Sequence, residues 1–210
     1  MPDQAIGASS RGRRQAAPRP PGREGYVNPR ELAGWLSEKQ KSIAERWLAE
    51  IQSRGGARDD DPASGIVSEF VHLLTSLLPD LVGPLKEQVQ PLWQEAAELY
   101  GNAGALRGLA SGEAVEEFQL LREVLIRQLF DDPPGGDLES LALREVLLLN
   151  RIVDDGVTFT GVGHTDSLFF ALFQGDGVSD APTAQVVEQL RKQVAGVREE
   201  HRSLDVGDAH

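Results

Sequence analysis

The sequence predicts an all-α fold. Apolar residues recur every three to four positions through five long segments. Short loops rich in Gly and Pro separate these segments, and strand-like alternation is almost absent. The expected architecture is an antiparallel helical bundle of about five main helices, with a short apolar helix and a C-terminal helix added. The 210 residues divide into a basic leader over 1–27, a bundle over 28–160 and a C-terminal extension over 161–205.

The leader is rich in Gly, Ser, Pro and Arg and poor in large apolar groups, the composition of a segment that does not order itself. "NPRE" then starts the first helix, with Asn28 as N-cap, Pro29 in the first turn and Glu31 completing a capping box. Its stripe is Leu32, Leu36, Ile43, Trp47 and Ile51, and Gly55-Gly56 ends it. A second helix opens at Asp61-Pro62 and carries a wide apolar face from Ile66 to Leu81 before Gly83-Pro84. The third covers about 85–107, with Pro91 as a kink or a later start. The fourth is capped near Ser111 and buries Phe118, Leu121, Leu125 and Leu129. After the loop "DDPPGGD" a fifth begins at Asp137 and aligns Leu138, Leu141, Leu148, Leu149, Ile152 and Val153.

Beyond Gly156 the pattern weakens. "GVTFTGVG" predicts a hinge, a bend or a short strand. "TDSLFFALFQ" predicts a short helix, apolar nearly all round, which must be buried or covered by a partner. The last helix, about 182–201, has a narrow seam of Val187, Leu190, Val194 and Val197 at coiled-coil spacing. Two such heptads alone are marginal.

One residue breaks the pattern. Arg122 falls on the apolar face of the fourth helix, between Leu129 and Val115 on the wheel. A guanidinium does not deprotonate, so an interior Arg needs oxygen partners. Glu145 occupies the corresponding anomalous place among Leu141, Leu148, Leu149 and Ile152 of the fifth helix. The expectation is that Arg122 and Glu145 pair inside the bundle, as a register device or as the polar floor of a ligand pocket. The bland alternative is that Arg122 runs its stem outward to solvent.

Composition narrows the function classes. There is no Cys, which removes disulfides, thiolate chemistry and Cys-ligated zinc or iron–sulfur centres. The net charge is −12, and the five Arg of residues 1–28 give that segment a local balance of +3, leaving −15 on the rest. An acidic body of this kind repels nucleic acid and anionic membrane. No signal peptide or long spanning segment stands out, so membrane insertion is not expected and a cytoplasmic location is. No nucleophile elbow, P-loop or dinucleotide fingerprint is present, and the four His lack metal-ligand spacing, so neither metal nor cofactor is expected. His72 falls on the polar side of its helix. His164, placed before a helix start with Thr165 as cap, is the candidate for an alternative role as phosphoacceptor.

The order of features resembles a known family. "LSEKQKSIAERWLAEI", with Ile43 and Trp47, is followed by "LYGNAGALRGLASGEAVEEFQLLREVLIRQLF" and then "LLLNRIVDDGVTF". Trp47, Leu121-Arg122, Asn150 and Asp154 carry most of the resemblance, which spans about residues 32–160. The chain is similar there to the N-terminal sensory domain of RsbT co-antagonist proteins of the RsbRD type, which also stands in front of bacterial sensor histidine kinases. The resemblance implies a helical stress-signalling sensor that dimerises and controls other signalling proteins by contact, without catalysis. Only about 50 residues follow the similar region, so a freestanding sensor or adaptor is expected. Its interfaces would be Leu168, Phe169, Phe170 and Phe173, together with Val187, Leu190, Val194 and Val197. The alternatives are a histidine phosphotransfer bundle using His164 and a globin-like ligand or haem sensor.

Overall fold

The computed structural model describes residues 29–54, 62–136, 143–174 and 184–207. Asn28, the 55–61 connection, Leu138, Leu141 and the leader lie outside them. The described residues form six helices and no strand: α1 (Pro29–Ser53), α2 (Pro62–Val82), α3 (Lys86–Leu106), α4 (Ser111–Asp131), α5 (Leu143–Gln174) and α6 (Ala184–Gly207). A 3-10 turn at Pro134–Gly136 follows α4. The protein is an all-α helical bundle.

The apolar stripes meet as their periodicity requires. Leu32, Leu36, Ile43, Trp47 and Ile51 of α1 are buried, as is the face of α2 from Ile66 to Leu81. Phe118, Leu121, Leu125 and Leu129 of α4 and Leu149, Ile152 and Val153 of α5 join the same core. At its centre Phe118 packs edge-on against Trp47, Trp93 and Tyr100, and Tyr100 packs edge-on against Phe70. These five rings tie α1, α2, α3 and α4 together, each contact adding about 0.5–1.5 kcal/mol beyond its area burial. Pro91 neither starts nor ends α3. It lies inside the helix, as Pro79 lies inside α2.

The bundle is not purely antiparallel. α4 runs antiparallel to α1, with Trp35 Nε1 donating to the Asp132 carbonyl at one end and Trp47 Nε1 to the Glu117 carbonyl at the other. It also runs antiparallel to α5. α3 and α5, however, point the same way: Trp93 meets Ile152, Ala97 meets Thr160 and Asn102 meets Ser167. α2 and α6 are likewise parallel, linked by Glu69–Arg191 and Asp80–His201.

The expected break after Gly156 does not occur. α5 is one continuous helix of 32 residues, about 48 Å long, so "GVTFTGVG" and "TDSLFFALFQ" belong to a single rod and no boundary falls at 160/161. The glycines have another use. A Cβ on Gly163 would lie 2.0 Å from the Glu98 carbonyl oxygen, and one on Gly101 would lie 2.0 Å from that of Thr160. A Cβ on Gly156 would enter the Phe118 ring at 2.5 Å. Glu98 and Gly101 of α3 therefore meet Thr160, Gly163 and His164 of α5 backbone to backbone, while Gly156 makes room for the Phe118 and Trp93 rings. Thr160 Oγ1 donates across this seam to the Ala97 carbonyl at 3.2 Å.

α6 departs from expectation too. Val187, Leu190, Val194 and Val197 are buried within the same chain, where α6 packs on α2 and α3. The seam is spent on the fold and is not an intermolecular coiled coil. The Gly65–Val82 stretch of α2 is long and apolar enough, by composition, to cross a membrane, and 61% of it is buried inside the bundle.

The glycine seam makes a direct prediction. Gly101→Ala puts a methyl group onto backbone that cannot rotate away and is expected to cost at least about 1–3 kcal/mol. Gly161→Ala, on the same helix α5 but with nothing within 4 Å, is expected to gain about 0.5–1 kcal/mol from helix propensity. Urea unfolding of the two variants checks the opposite signs.

Candidate functional site

Arg122 does not reach Glu145. Its guanidinium leaves the apolar face along its own stem and pairs with Asp154 of α5, at the half-exposed edge of the α4–α5 contact. Nε of Arg122 is buried there without a hydrogen-bond partner. Glu145 lies about nine residues nearer the N-terminus of α5, 5% exposed, with Oε2 also unpartnered. The predicted pair fails because antiparallel α4 and α5 bring residue 122 level with 154. In that register residue 145 faces the far end of α4. The outward-stem alternative describes Arg122 better.

A buried ion pair does exist, one turn away. α3 ends in a Schellman motif: Leu109 N–H donates to the Gly104 carbonyl at 3.1 Å and Gly108 N–H to that of Ala105 at 3.0 Å. Gly108 takes the positive φ of 74° that the motif needs. The turn directs Arg107 back into the bundle, where its two terminal nitrogens bond both oxygens of Glu117 at 2.8 Å. Tyr100 donates to the same Glu117 Oε2 at 2.8 Å. The side chains of Arg107 and Glu117 are 4% and 9% exposed. Burial, and next the Glu117 carboxylate, push the Tyr100 phenol well above its ordinary value. Burial alone would lower Arg107, but its hydrogen bonds to Glu117 and that negative charge outweigh it and raise the guanidinium. α4 starts just beyond. Ala110 is its N-cap and has no side-chain oxygen, so Glu113 Oε2 alone accepts the Ala110 N–H at 2.7 Å. The helix thus starts at Ser111 itself.

His164 also belongs to this region. It sits in the middle of α5, 1% exposed, and not ahead of a helix start. Its Nε2 donates to the Leu109 carbonyl at 2.8 Å, and Nδ1 is buried without a partner. A phosphoryl donor has no approach to either nitrogen in this conformation. Thr165 is no cap; its hydroxyl bonds the Gly161 carbonyl within the helix. His72 is exposed, as its place on the wheel required. Among the described residues no group of three or more His, Asp or Glu side chains is placed to hold a metal ion.

Among the described residues the largest run of exposed apolar side chains is at the C-terminal end of α5. Phe169, Phe170, Leu172 and Phe173 are 58%, 68%, 75% and 79% exposed, and Leu168 is half-buried. At 100° per residue these four exposed side chains span about 160° of the helix. The rings of Phe169 and Phe173 touch at a tilt of 42°, with centroids 5.2 Å apart. α5 extends past α3 here, and nothing among the described residues covers them.

No family model, curated protein or solved structure matches this chain.

Glu117→Gln and Arg107→Met each strand a buried partner and are expected to lower stability by about 3–5 kcal/mol. Tyr100→Phe removes one of three bonds to Glu117 and is expected to cost about 1 kcal/mol near neutrality. The folded protein holds the Tyr100 proton more tightly than the unfolded chain does. That contribution is therefore intact below the ordinary tyrosine value of 10.0 and is lost as pH rises through the raised folded value. Denaturant midpoints measured across this alkaline range should fall less steeply in Tyr100→Phe than in the wild type.

Proposed function

We propose that this chain is a non-catalytic helical signalling module, a cytoplasmic sensor or adaptor of the kind its resemblance to the RsbRD-type domain implies. It acts by contact through the exposed end of α5. The observation that carries the reading is the row of uncovered aromatics at Phe169, Phe170 and Phe173 on an otherwise well-buried bundle. With an exposed aromatic near 200 Å², the four exposed side chains present roughly 500 Å² of contiguous apolar surface, at the upper end for a monomer. Doubled across a two-fold axis, this reaches the ~1,000 Å² that a specific interface needs. The occupant is a second copy of the chain, with α5 packing on α5. Arg122 and Asp154, two of the residues that carry the resemblance, are ion-paired, which supports it. The phosphotransfer alternative is disfavoured by the burial of His164.

Light scattering on the full chain is expected to give twice the chain mass of 22.8 kDa. The double variant Phe170→Asp/Phe173→Asp should give the single mass with an unchanged helical spectrum. A wild-type protein that stays monomeric at every concentration tested would remove the support for this interface.

A further inference from the structure

The geometry points to a binding site for a small phosphate-bearing molecule in the groove between α1 and α6, with Arg198 and Arg202 holding the phosphate. This inference does not rest on the signalling reading: a monomer that binds phosphate would sink the dimer and leave this site standing.

α1 and α6 both pack on α2 and have little contact with each other, which leaves a groove of about 610 Å³ with α2 as its floor. The volume is that of a small-molecule site, within the usual range of about 300–1,000 Å³. On the floor, His72, Ser76 and Asp80 follow one another at i, i+4, i+8 along one face of α2. Ser37 and Gln40 border it from α1. Arg198, His201 and Arg202 border it from α6, the two arginines one helical turn apart.

The groove has a surplus of donors. Its carboxylate, Asp80, is already engaged: His201 Nε2 donates to Asp80 Oδ2 at 2.7 Å, and His201 is 8% exposed. Arg198 meets no carboxylate among the described residues. Its terminal nitrogen reaches only the Glu69 backbone carbonyl, at 3.5 Å. Arg202 pairs with Glu199 three residues back on the same helix, at 3.2 Å, with both side chains mostly exposed. Such a pair is worth little and exchanges readily. Two guanidiniums, the Ser37 hydroxyl, the Gln40 amide and the His72 imidazole therefore border one space, the Ser76 hydroxyl already donating to the Leu73 carbonyl at 2.6 Å. An oxygen-rich dianion satisfies such a set, and a guanidinium fork matches phosphate geometry two bonds at a time. The chain carries a net charge of −12, so most of its surface repels such an ion. In the groove's lining two arginines stand against one carboxylate. A bound phosphate would also bridge α6 to α1 across the groove, stabilising the folded state by mass action.

The test is thermal unfolding and isothermal titration of the full chain with inorganic phosphate and with a nucleoside monophosphate. Sodium chloride at matched ionic strength is the control. Saturable binding of either probe, with a raised midpoint, is expected. Tighter binding of the nucleotide assigns an organic phosphate; equal binding assigns the free ion. Arg198→Gln and Arg202→Gln should each weaken binding at least tenfold. Arg127→Gln should not, since Arg127 pairs with Glu50 and Glu123 on another face. Arg202 is two-thirds exposed, so its variant keeps the test valid even if Arg198→Gln unfolds. The proposal is overturned by the absence of saturable binding of both probes, by an Arg202 variant that binds like the wild type, or by an equal loss in Arg127→Gln.

Discussion

The contact between α3 and α5 governs much of the rest of the structure. Two carbonyls, of Glu98 and Thr160, lie where a side chain would stand on any residue but glycine. Removing the Cβ atoms lets the two backbones touch along residues 98–101 and 160–164, inside the stretch where α5 continues as one rod. A helix-interior glycine costs about 0.5–1 kcal/mol relative to alanine. Here tight packing and the buried Thr160 hydrogen bond offset that cost. Two consequences follow from the same seam. His164, adjacent to Gly163, is pressed against the Leu109 carbonyl, and α5 overruns the bundle so that its phenylalanines face outward.

The seam also explains why the α3–α4 turn can hold a buried charge. Gly104 approaches Ala114 so closely that a Cβ would lie 2.9 Å from the alanine methyl, and this brings α4 back against α3 at once. Arg107, at the end of α3, and Glu117, two turns into α4, then meet with both guanidinium nitrogens in register. An ion pair this deep contributes little net stability once desolvation is counted. Its geometric effect is larger. Two parallel bonds and the Tyr100 hydroxyl allow only one rotation of α4 about its axis, and that rotation puts Phe118 among Trp47, Trp93 and Tyr100.

Periodicity made the fold readable in the sequence, because the stripes of α1 to α4 state which face is buried. It does not state what buries it. The Val187–Val197 seam was legible as a covered face, but the same spacing serves a partner chain or the chain's own α2 and α3 equally well. Gly156 and Gly163 read as helix breakers because glycine is usually conformational punctuation. Their separation of seven, matched by small residues at the same spacing in α3, was the signal for close packing. Arg122 was correctly anomalous, but its partner depended on the register between α4 and α5, and a wheel carries no register. The Arg107–Glu117–Tyr100 cluster went unseen because Arg107 lies just past a helix end. Glu117 sits beside the main stripe of α4, on a second face whose other buried residues are Ala114, Leu120, Val124 and Gln128.

Interlocked backbones restrict how such a bundle can move. Sliding α5 along α3 by one residue would drive the side chain of Val162 or His164 into the Glu98 carbonyl, so the two helices shift together or by whole turns. The contact of α6 with α2 is of another kind. Beside its four buried apolar residues it is made of long polar reaches, Arg191 to Glu69, Arg198 to the Glu69 carbonyl and His201 to Asp80. Such side chains re-aim over a few ångströms at small cost, which close-packed backbones cannot do. Displacement within this fold therefore belongs at the α2–α6 contact. The α3–α5 unit, carrying the buried ion pair at one turn and the exposed phenylalanines at its end, responds as one body.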